Sequence, residues 1–139
     1  MHGYIGSYVH EEGQMAAMVE LRIRGHESPP PEAIQLLARE IAMQVTAMQP
    51  STVDATGIEQ EWGREMQFMS ARLQSLDPSE RERKIASERA KFERHFCLLE
   101  QPYIRESGSV RQHIEKTEAL YGVTVEVVRF IRYAVGPAA

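Results

Sequence analysis

Histidine and cysteine are the side chains of this sequence best suited to bind a metal or to act as base and nucleophile. A zinc site takes four protein ligands, or three and a water molecule. No two of the histidines have a spacing typical of metal ligands, and Cys97 lies between the apolar residues Phe96 and Leu98, where a buried, inert thiol is favoured. We therefore expect no metal site, no catalytic residue and no enzyme activity. The histidines are His2, His10, His26, His95 and His113.

Other common chemical motifs are also missing from the sequence. Neither glycine-rich phosphate-binding motif occurs, so the chain is not expected to bind a nucleotide or another cofactor by itself. Ser7 follows Gly6, but the sequence after it predicts a strand and not the helix of a nucleophile elbow. The charged run over 80–94 is either a binding strip or a solvated helix face with i,i+4 pairs, and the second interpretation is favoured. The methionines are mostly core residues, although methionine also adapts well to interfaces.

Length and composition are those of one ordinary globular domain spanning residues 1–139. Hydrophobic residues make up 42% and charged residues 26% of the 139 residues, with a net charge of −4. A dedicated nucleic-acid binder usually has a basic surface, so this composition argues against nucleic acid as a partner. No apolar run approaches the roughly 20 residues that cross a membrane, and the N-terminus lacks the pattern of a secretory signal. We expect a cytoplasmic protein.

The hydrophobic pattern predicts an α+β fold. Alternation predicts strands, whereas spacings of three and four predict helices. The first two strands are joined through Gly13, and the prolines at 29–31 predict a loop over 24–31 before the first helix. Pro50 and Pro78 separate the helices that follow. The expected architecture is a three-stranded antiparallel sheet with helices on one face and a protruding helical hairpin at about 55–97. The predicted strands are 3–10, 14–23 and 123–135, and the predicted helices are about 32–48, 55–76, 78–97 and 109–120.

The face of the first strand predicts a protein partner. Tyr4, Tyr8 and His10 alternate onto one side, and two aromatic rings with an imidazole are not expected to lie in open water. Helices can cover only one side of a three-stranded sheet, so the other side is expected to expose an apolar patch, which usually marks an interface. This argument predicts a dimer.

Five segments, in this order and spacing, resemble the core domain of bacterial elongation factor Ts over nearly the whole chain. They are GYIGSYVH at 3–10, MVEL at 18–21, IAM at 41–43, LLEQP at 98–102 and FIRYAVG at 130–136. The family's core is a small sheet with packed helices and a protruding helical hairpin. The resemblance implies binding to the GTPase elongation factor Tu, release of its GDP, and, as in short members with one core per chain, a homodimer formed through the sheets.

The sequence departs from the family pattern in three places. The family's N-terminal helical domain has no counterpart in these residues. The positions of its Thr-Asp-Phe motif, which perturbs the partner's nucleotide site, are held by Gly25, His26 and Glu27. In the family, the phenylalanine of this motif inserts between helices of the partner. A glutamate cannot replace it there, because burying an unpaired charge is unfavourable. The histidine that the family often has after Ala-Met is Gln44, whereas the histidine that faces elongation factor Tu is retained as His10, although His10 also fits a locally hydrogen-bonded strand end.

Two functions follow from this comparison. The first is an elongation factor Ts homologue that binds elongation factor Tu and promotes GDP release, with His10, Gly25, His26, Glu27 and Gln44 as the expected partner-binding residues. The second is a divergent paralogue that acts as a binding or assembly module without exchange activity. It is suggested by the residues at 25–27 and by the missing N-terminal domain.

Overall fold

The computed structural model describes residues 2–25 and 31–136. The chain forms two compact units, one of residues 1–49 with 102–139 and one of residues 50–101. The predicted order of elements, β-β-α-α-α-α-β, and the three-stranded antiparallel sheet are confirmed. The strands are β1 (His2–Val9), β2 (Met15–Arg24) and β3 (Thr124–Ala134), and the helices are α1 (Glu32–Met48), α2 (Glu59–Gln74), α3 (Pro78–Phe96) and α4 (Val110–Tyr121).

The sheet has β2 at its centre, with β1 and β3 paired antiparallel on either side. Alternation in β2 puts Ala17, Val19, Leu21 and Ile23 on one side, and all four are buried. We call this the helix side, and the opposite side of the sheet the open side. The pairing of β2 with β3 shifts between Glu20 and Leu21, which is a β-bulge. Bulges bend a strand and redirect its side chains.

Helix α1 packs on the helix side of the sheet through one apolar stripe. Its buried residues recur every three or four positions, as expected of an amphipathic helix. The helix contacts β1 closely at Gly6, where an added Cβ would lie 2.5 Å from the Cβ of Ala38. Glycine therefore sets the distance between β1 and α1. The apolar residues of the stripe are Ile34, Leu37, Ala38, Ile41, Ala42 and Val45.

Helix α4 begins and ends at residues suited to those positions. The Ser109 side chain accepts a hydrogen bond from the Gln112 backbone, and the Gln112 side chain accepts one from the Ser109 backbone, which is a complete capping box. Gly122 ends the helix with φ of 64°, a conformation that glycine adopts without strain. The chain then enters β3.

The second unit is built on α2 and α3. The helices run antiparallel, because residues at the start of α2 meet residues near the end of α3: Trp62 packs edge-on against Phe92, and the Arg89 guanidinium binds the Glu59 carboxylate at 2.5 Å. Met69 and Leu73 are buried in the seam, and every α3 side chain is at least partly exposed. The hairpin is therefore a thin one, as the charged sequence predicts.

Most predicted boundaries agree with the structure to within one or two residues. The second helix begins later than predicted, since residues 55–57 form a short 3-10 turn before α2. Residues 98–100 form a further 3-10 turn after the end of α3. The protrusion of the hairpin remains a prediction, and residues 26–30 of the predicted loop lie outside the described residues.

Candidate partner-binding surface

The open side of the sheet exposes an apolar patch formed by all three strands. Ile5 is 64% exposed and Tyr133 is 59% exposed, and both belong to this side by their register with β2. Exposed apolar patches on a folded domain usually mark an interaction site. The patch consists of Ile5, Val9, Met18, Ile131 and Tyr133.

Charged residues lie within and beside this patch. Arg129 donates a hydrogen bond to the Glu20 carboxylate at 2.7 Å, and Arg22 lies 3.9 Å from Glu126. Ile5, Met18 and Ile131 line a shallow depression of about 300 Å³ beside the Glu20–Arg129 pair. The open side can therefore bury apolar surface while its neighbouring charges already neutralise one another.

An exposed patch is present as predicted, but Tyr4 and Tyr8 do not belong to it. Tyr4 and Tyr8 pair with Leu21 and Ala17, so they lie on the helix side, where both are only partly exposed. The Arg39 guanidinium lies 5.7 Å from the centre of the Tyr8 ring, within range of a cation–π contact. The aromatic residues of β1 are therefore covered largely by α1, and other residues form the patch.

His10 lies just past the end of β1, where the chain turns into β2. Its backbone N–H donates to Met15 O at 2.8 Å, and its carbonyl accepts from the Gly13 N–H at 3.0 Å. The imidazole is exposed, with Nδ1 3.5 Å from the Tyr8 hydroxyl. His10 is thus fixed at its backbone and accessible at its ring. This geometry suits a partner contact and also fits the local interpretation of a hydrogen-bonded strand end.

Gly25 directly follows β2 and has a conformation that other residues rarely adopt. Its φ is +92°, and an added Cβ would lie 3.1 Å from Gly122 O. A threonine at this position would be strained, since a β-branched residue at positive φ is an outlier. The neighbouring candidates His26 and Glu27 lie outside the described residues.

Gln44 lies on α1 and is completely buried. Its Nε2 donates to Pro102 O at 3.0 Å, and its Oε1 accepts from the Ile104 N–H at 2.9 Å. Partner contact by Gln44 remains a prediction. Because the side chain is buried, it can act on a partner only by holding the loop segment to which it is hydrogen-bonded. That segment, residues 102–108, is called the clamped loop below.

The clamped loop is closed on itself and fixed to both α1 and α4. The Tyr103 N–H donates to Gly108 O at 2.9 Å, and Pro102 pairs with Ser109. The Tyr103 hydroxyl donates to the Glu40 carboxylate, and its ring stacks on His113 with centroids 4.3 Å apart. Burial, together with the hydrogen bond to Glu40, raises the pKa of Tyr103 above its ordinary value.

The outer part of the clamped loop is exposed. Ile104 is 41% exposed, Arg105 is exposed, and Glu106 lies 3.4 Å from His113 Nδ1 and 3.6 Å from Lys116 Nζ. A rigid loop that exposes an apolar and a cationic side chain is a second candidate contact surface. It was not predicted from the sequence, because the exposure of Ile104 depends on how the loop is held by α1 and α4.

The described residues hold no group of three or more His, Cys, Asp or Glu side chains that could bind a metal ion. Cys97 is buried, and burial raises the pKa of its thiol. Within residues 2–25 and 31–136, no helix is both long and apolar enough to cross a membrane. The exposed apolar residues of the open side and of the clamped loop are features typical of a protein-interaction domain.

Comparison with known proteins gives the family. The family model described as "Elongation factor TS" matches residues 1–137. The chain belongs to the elongation factor Ts family.

Curated elongation factor Ts proteins resemble the chain along almost its whole length. The protein of Nitratidesulfovibrio vulgaris strain Miyazaki F is 33% identical over 138 residues, which cover 96% of this chain and 69% of that relative. The protein of Prosthecochloris aestuarii is 38% identical over 141 residues, covering 96% of this chain and 46% of that relative. The protein of Solibacter usitatus is 32% identical and is covered to 66%. The chain thus spans from about half to about two thirds of the length of these relatives.

Proposed function

We propose that this chain binds elongation factor Tu and promotes the release of GDP during translation elongation in the cytoplasm. The supporting observation is membership of the elongation factor Ts family over residues 1–137, combined with exposed surfaces that suit a protein partner. The proposed activity breaks no covalent bond, so it needs no nucleophile or base.

The mechanism is differential binding. A factor that binds the nucleotide-free form of a GTPase more tightly than the GDP form lowers the affinity for GDP by the same ratio. The contact residues that the geometry favours are His10, with its fixed backbone and exposed ring, and the Ile104–Arg105 part of the clamped loop. An isoleucine buried on binding contributes apolar contact, and the arginine suits an acidic group on the partner.

The exchange activity is tested by stopped-flow release of a fluorescent GDP analogue from elongation factor Tu. Release of the analogue is expected to accelerate as this protein is added, and the acceleration is expected to saturate. The variants His10→Ala and Ile104→Ala are expected to raise the concentration needed for half-saturation, whereas Leu120→Ala, at an exposed position on α4, serves as the control. Release that stays at the intrinsic rate at saturating protein would refute exchange.

We also propose a homodimer formed through the open side. A two-fold interface buries the same patch on both copies, so one exposed apolar face is covered by another. Ile131→Asp is expected to shift the mass measured by light scattering from dimer to monomer. Leu120→Asp, at an apolar position on α4 that is 69% exposed against 43% for Ile131, is expected to leave the dimer intact. A wild-type protein that is monomeric at micromolar concentration contradicts the proposal.

The second candidate is a module that binds elongation factor Tu without releasing GDP, and Gly25 favours it. The family's motif begins with a threonine at this position, where φ of +92° disfavours a β-branched residue. The test keeps Gly25 and changes His26→Asp with Glu27→Phe. If the wild type binds without accelerating release and this double variant gains acceleration, the non-exchanging module is supported. The variant His26→Asp with Glu27→Ser is the control for the aromatic ring.

A further inference from the structure

A buried glutamine in the apolar stripe of α1 requires an explanation. Gln44 is 0% exposed and lies between the buried residues Ile41 and Val45 along the helix. A buried amide without hydrogen bonds is strongly unfavourable. Here both ends of the amide bind the backbone of the clamped loop, one residue before and one residue after Tyr103. The glutamine therefore binds the loop in the same way as a neighbouring strand would.

A second anchor lies one helical turn away. Glu40 and Gln44 are four residues apart and so share one face of α1. The Glu40 carboxylate binds the Tyr103 hydroxyl, while Gln44 binds the backbone on both sides of Tyr103. One loop residue is thus fixed by side chain and backbone at once, and Tyr103 is only 5% exposed.

The consequence of this clamp lies at the next two residues. Ile104 donates its N–H to Gln44, yet its side chain is exposed, as is that of Arg105. We propose that Gln44 is a positioning residue for partner binding: it touches no partner, but holds Ile104 and Arg105 in the conformation that a partner binds. Pre-organising a loop strengthens binding because its ordering is not required at association. This inference rests on the proposed function, in that elongation factor Tu is taken as the partner of the loop.

The hydrogen-bonding pattern explains why few residues can replace Gln44. The site needs one donor, for Pro102 O, and one acceptor, for the Ile104 N–H. Methionine matches glutamine in length but supplies no donor. Histidine in a neutral tautomer has one donor and one acceptor, although in the rigid geometry of its ring. We therefore expect Gln44→Met to lose the clamp and Gln44→His to retain part of it.

The first measurement is hydrogen exchange at single amides, followed by NMR. In Gln44→Met, the Ile104 amide is expected to exchange at least about tenfold faster than in the wild type, since a buried hydrogen bond has been removed. The control is Thr46→Val, which removes a buried hydrogen bond to Ala42 O two residues along the same helix and does not touch the loop. Thr46→Val is expected to leave exchange at Ile104 unchanged.

The second measurement is the affinity for elongation factor Tu, by titration calorimetry. Gln44→Met is expected to bind about tenfold more weakly, with Gln44→His between it and the wild type, while Thr46→Val binds normally. Ile104→Ala should weaken binding in the wild type and weaken it much less in the Gln44→Met background, because Ile104 is no longer positioned there. Such non-additivity is the signature of two residues acting as a unit, and a purely structural role would not produce it.

The outcomes separate this inference from the proposed function. If wild-type protein does not bind elongation factor Tu, the proposed function fails and the positioning role fails with it. If the wild type binds, and Gln44→Met shows fast exchange at Ile104 but unchanged affinity, the clamp is structural only and this inference alone is overturned. If Gln44→Met does not fold, Gln44→His decides the question by the same two measurements.

Discussion

Gly6 is the position where a single methyl group should disturb the fold most. A Cβ added there would lie 2.5 Å from the carbonyl carbon and from the Cβ of Ala38, and 2.7 Å from its oxygen. Carbon atoms in contact are normally about 3.5–4.0 Å apart, so β1 and α1 would have to separate by about 1 Å. Two of the three atoms belong to the backbone and cannot rotate away.

We expect Gly6→Ala to lower the free energy of unfolding by about 1–3 kcal/mol, the usual range for overpacking a core. For a domain of this size that corresponds to a melting temperature lower by about 3–10 °C. The assay is urea and thermal unfolding followed by circular dichroism, at one protein concentration. Adding Ala38→Gly should recover only part of the loss, since the clashing carbonyl remains.

Gly3 provides the matched control on the same strand. The nearest atom to a Cβ built there is Leu21 O at 3.9 Å, which is an ordinary contact. Gly3→Ala should change stability by less than about 0.5 kcal/mol. If Gly6→Ala were as stable as the wild type, or if Gly3→Ala lost as much, the close approach of α1 to β1 would be refuted.

Three further predictions concern single side chains. The pKa of Tyr103 is raised by burial and by Glu40. The protonated hydroxyl therefore stabilises the folded protein fully below about pH 10, the ordinary tyrosine value, and this stabilisation is lost as the pH rises beyond it. Tyr103→Phe should therefore show a smaller fall in urea-unfolding stability between pH 8 and 11 than the wild type, and an identical fall would contradict this. Ser109→Ala removes the cap of α4 and should cost about 1 kcal/mol by the same assay. Cys97 is buried with a raised pKa, so iodoacetamide should label it only as urea unfolds the protein; rapid labelling of the native state would disprove its burial.

The sequence predicted an element correctly where a single hydrophobic periodicity ran through it without interruption. In α1 the apolar residues Ile34, Leu37, Ile41 and Val45 keep helical spacing, and the predicted bounds agree with Glu32–Met48. In β2 the strict alternation from Met15 to Ile23 correctly separated the helix side from the open side. Patterns of this kind depend on local spacing alone, so they need no knowledge of what packs against them.

The sequence did not predict the role of a residue where that role depends on a segment far away along the chain. Gln44 is 58 residues from Pro102, and no local pattern shows that its amide fits that backbone. Tyr4 and Tyr8 were correctly placed on one face of β1, but no local pattern shows that α1 covers this face, as its contact at Gly6 reveals. Candidate surfaces at Ile104 and on the open side therefore emerged only with the tertiary structure.

The β-bulge in β3 determines the character of both faces of the sheet. Val125 and Val127 pair with Ile23 and Leu21, whereas Arg129 pairs with Glu20, so Val128 is passed over. Odd-numbered residues point to α1 before Val128, and even-numbered residues do so after it. Without this change of parity, Ile131 and Tyr133 would turn inward and Arg132, which now binds Thr46 O at the end of α1, would turn outward. The one extra residue thus places Ile131 and Tyr133 on the open side, where a strand of the same sequence without a bulge would place Phe130 and Arg132.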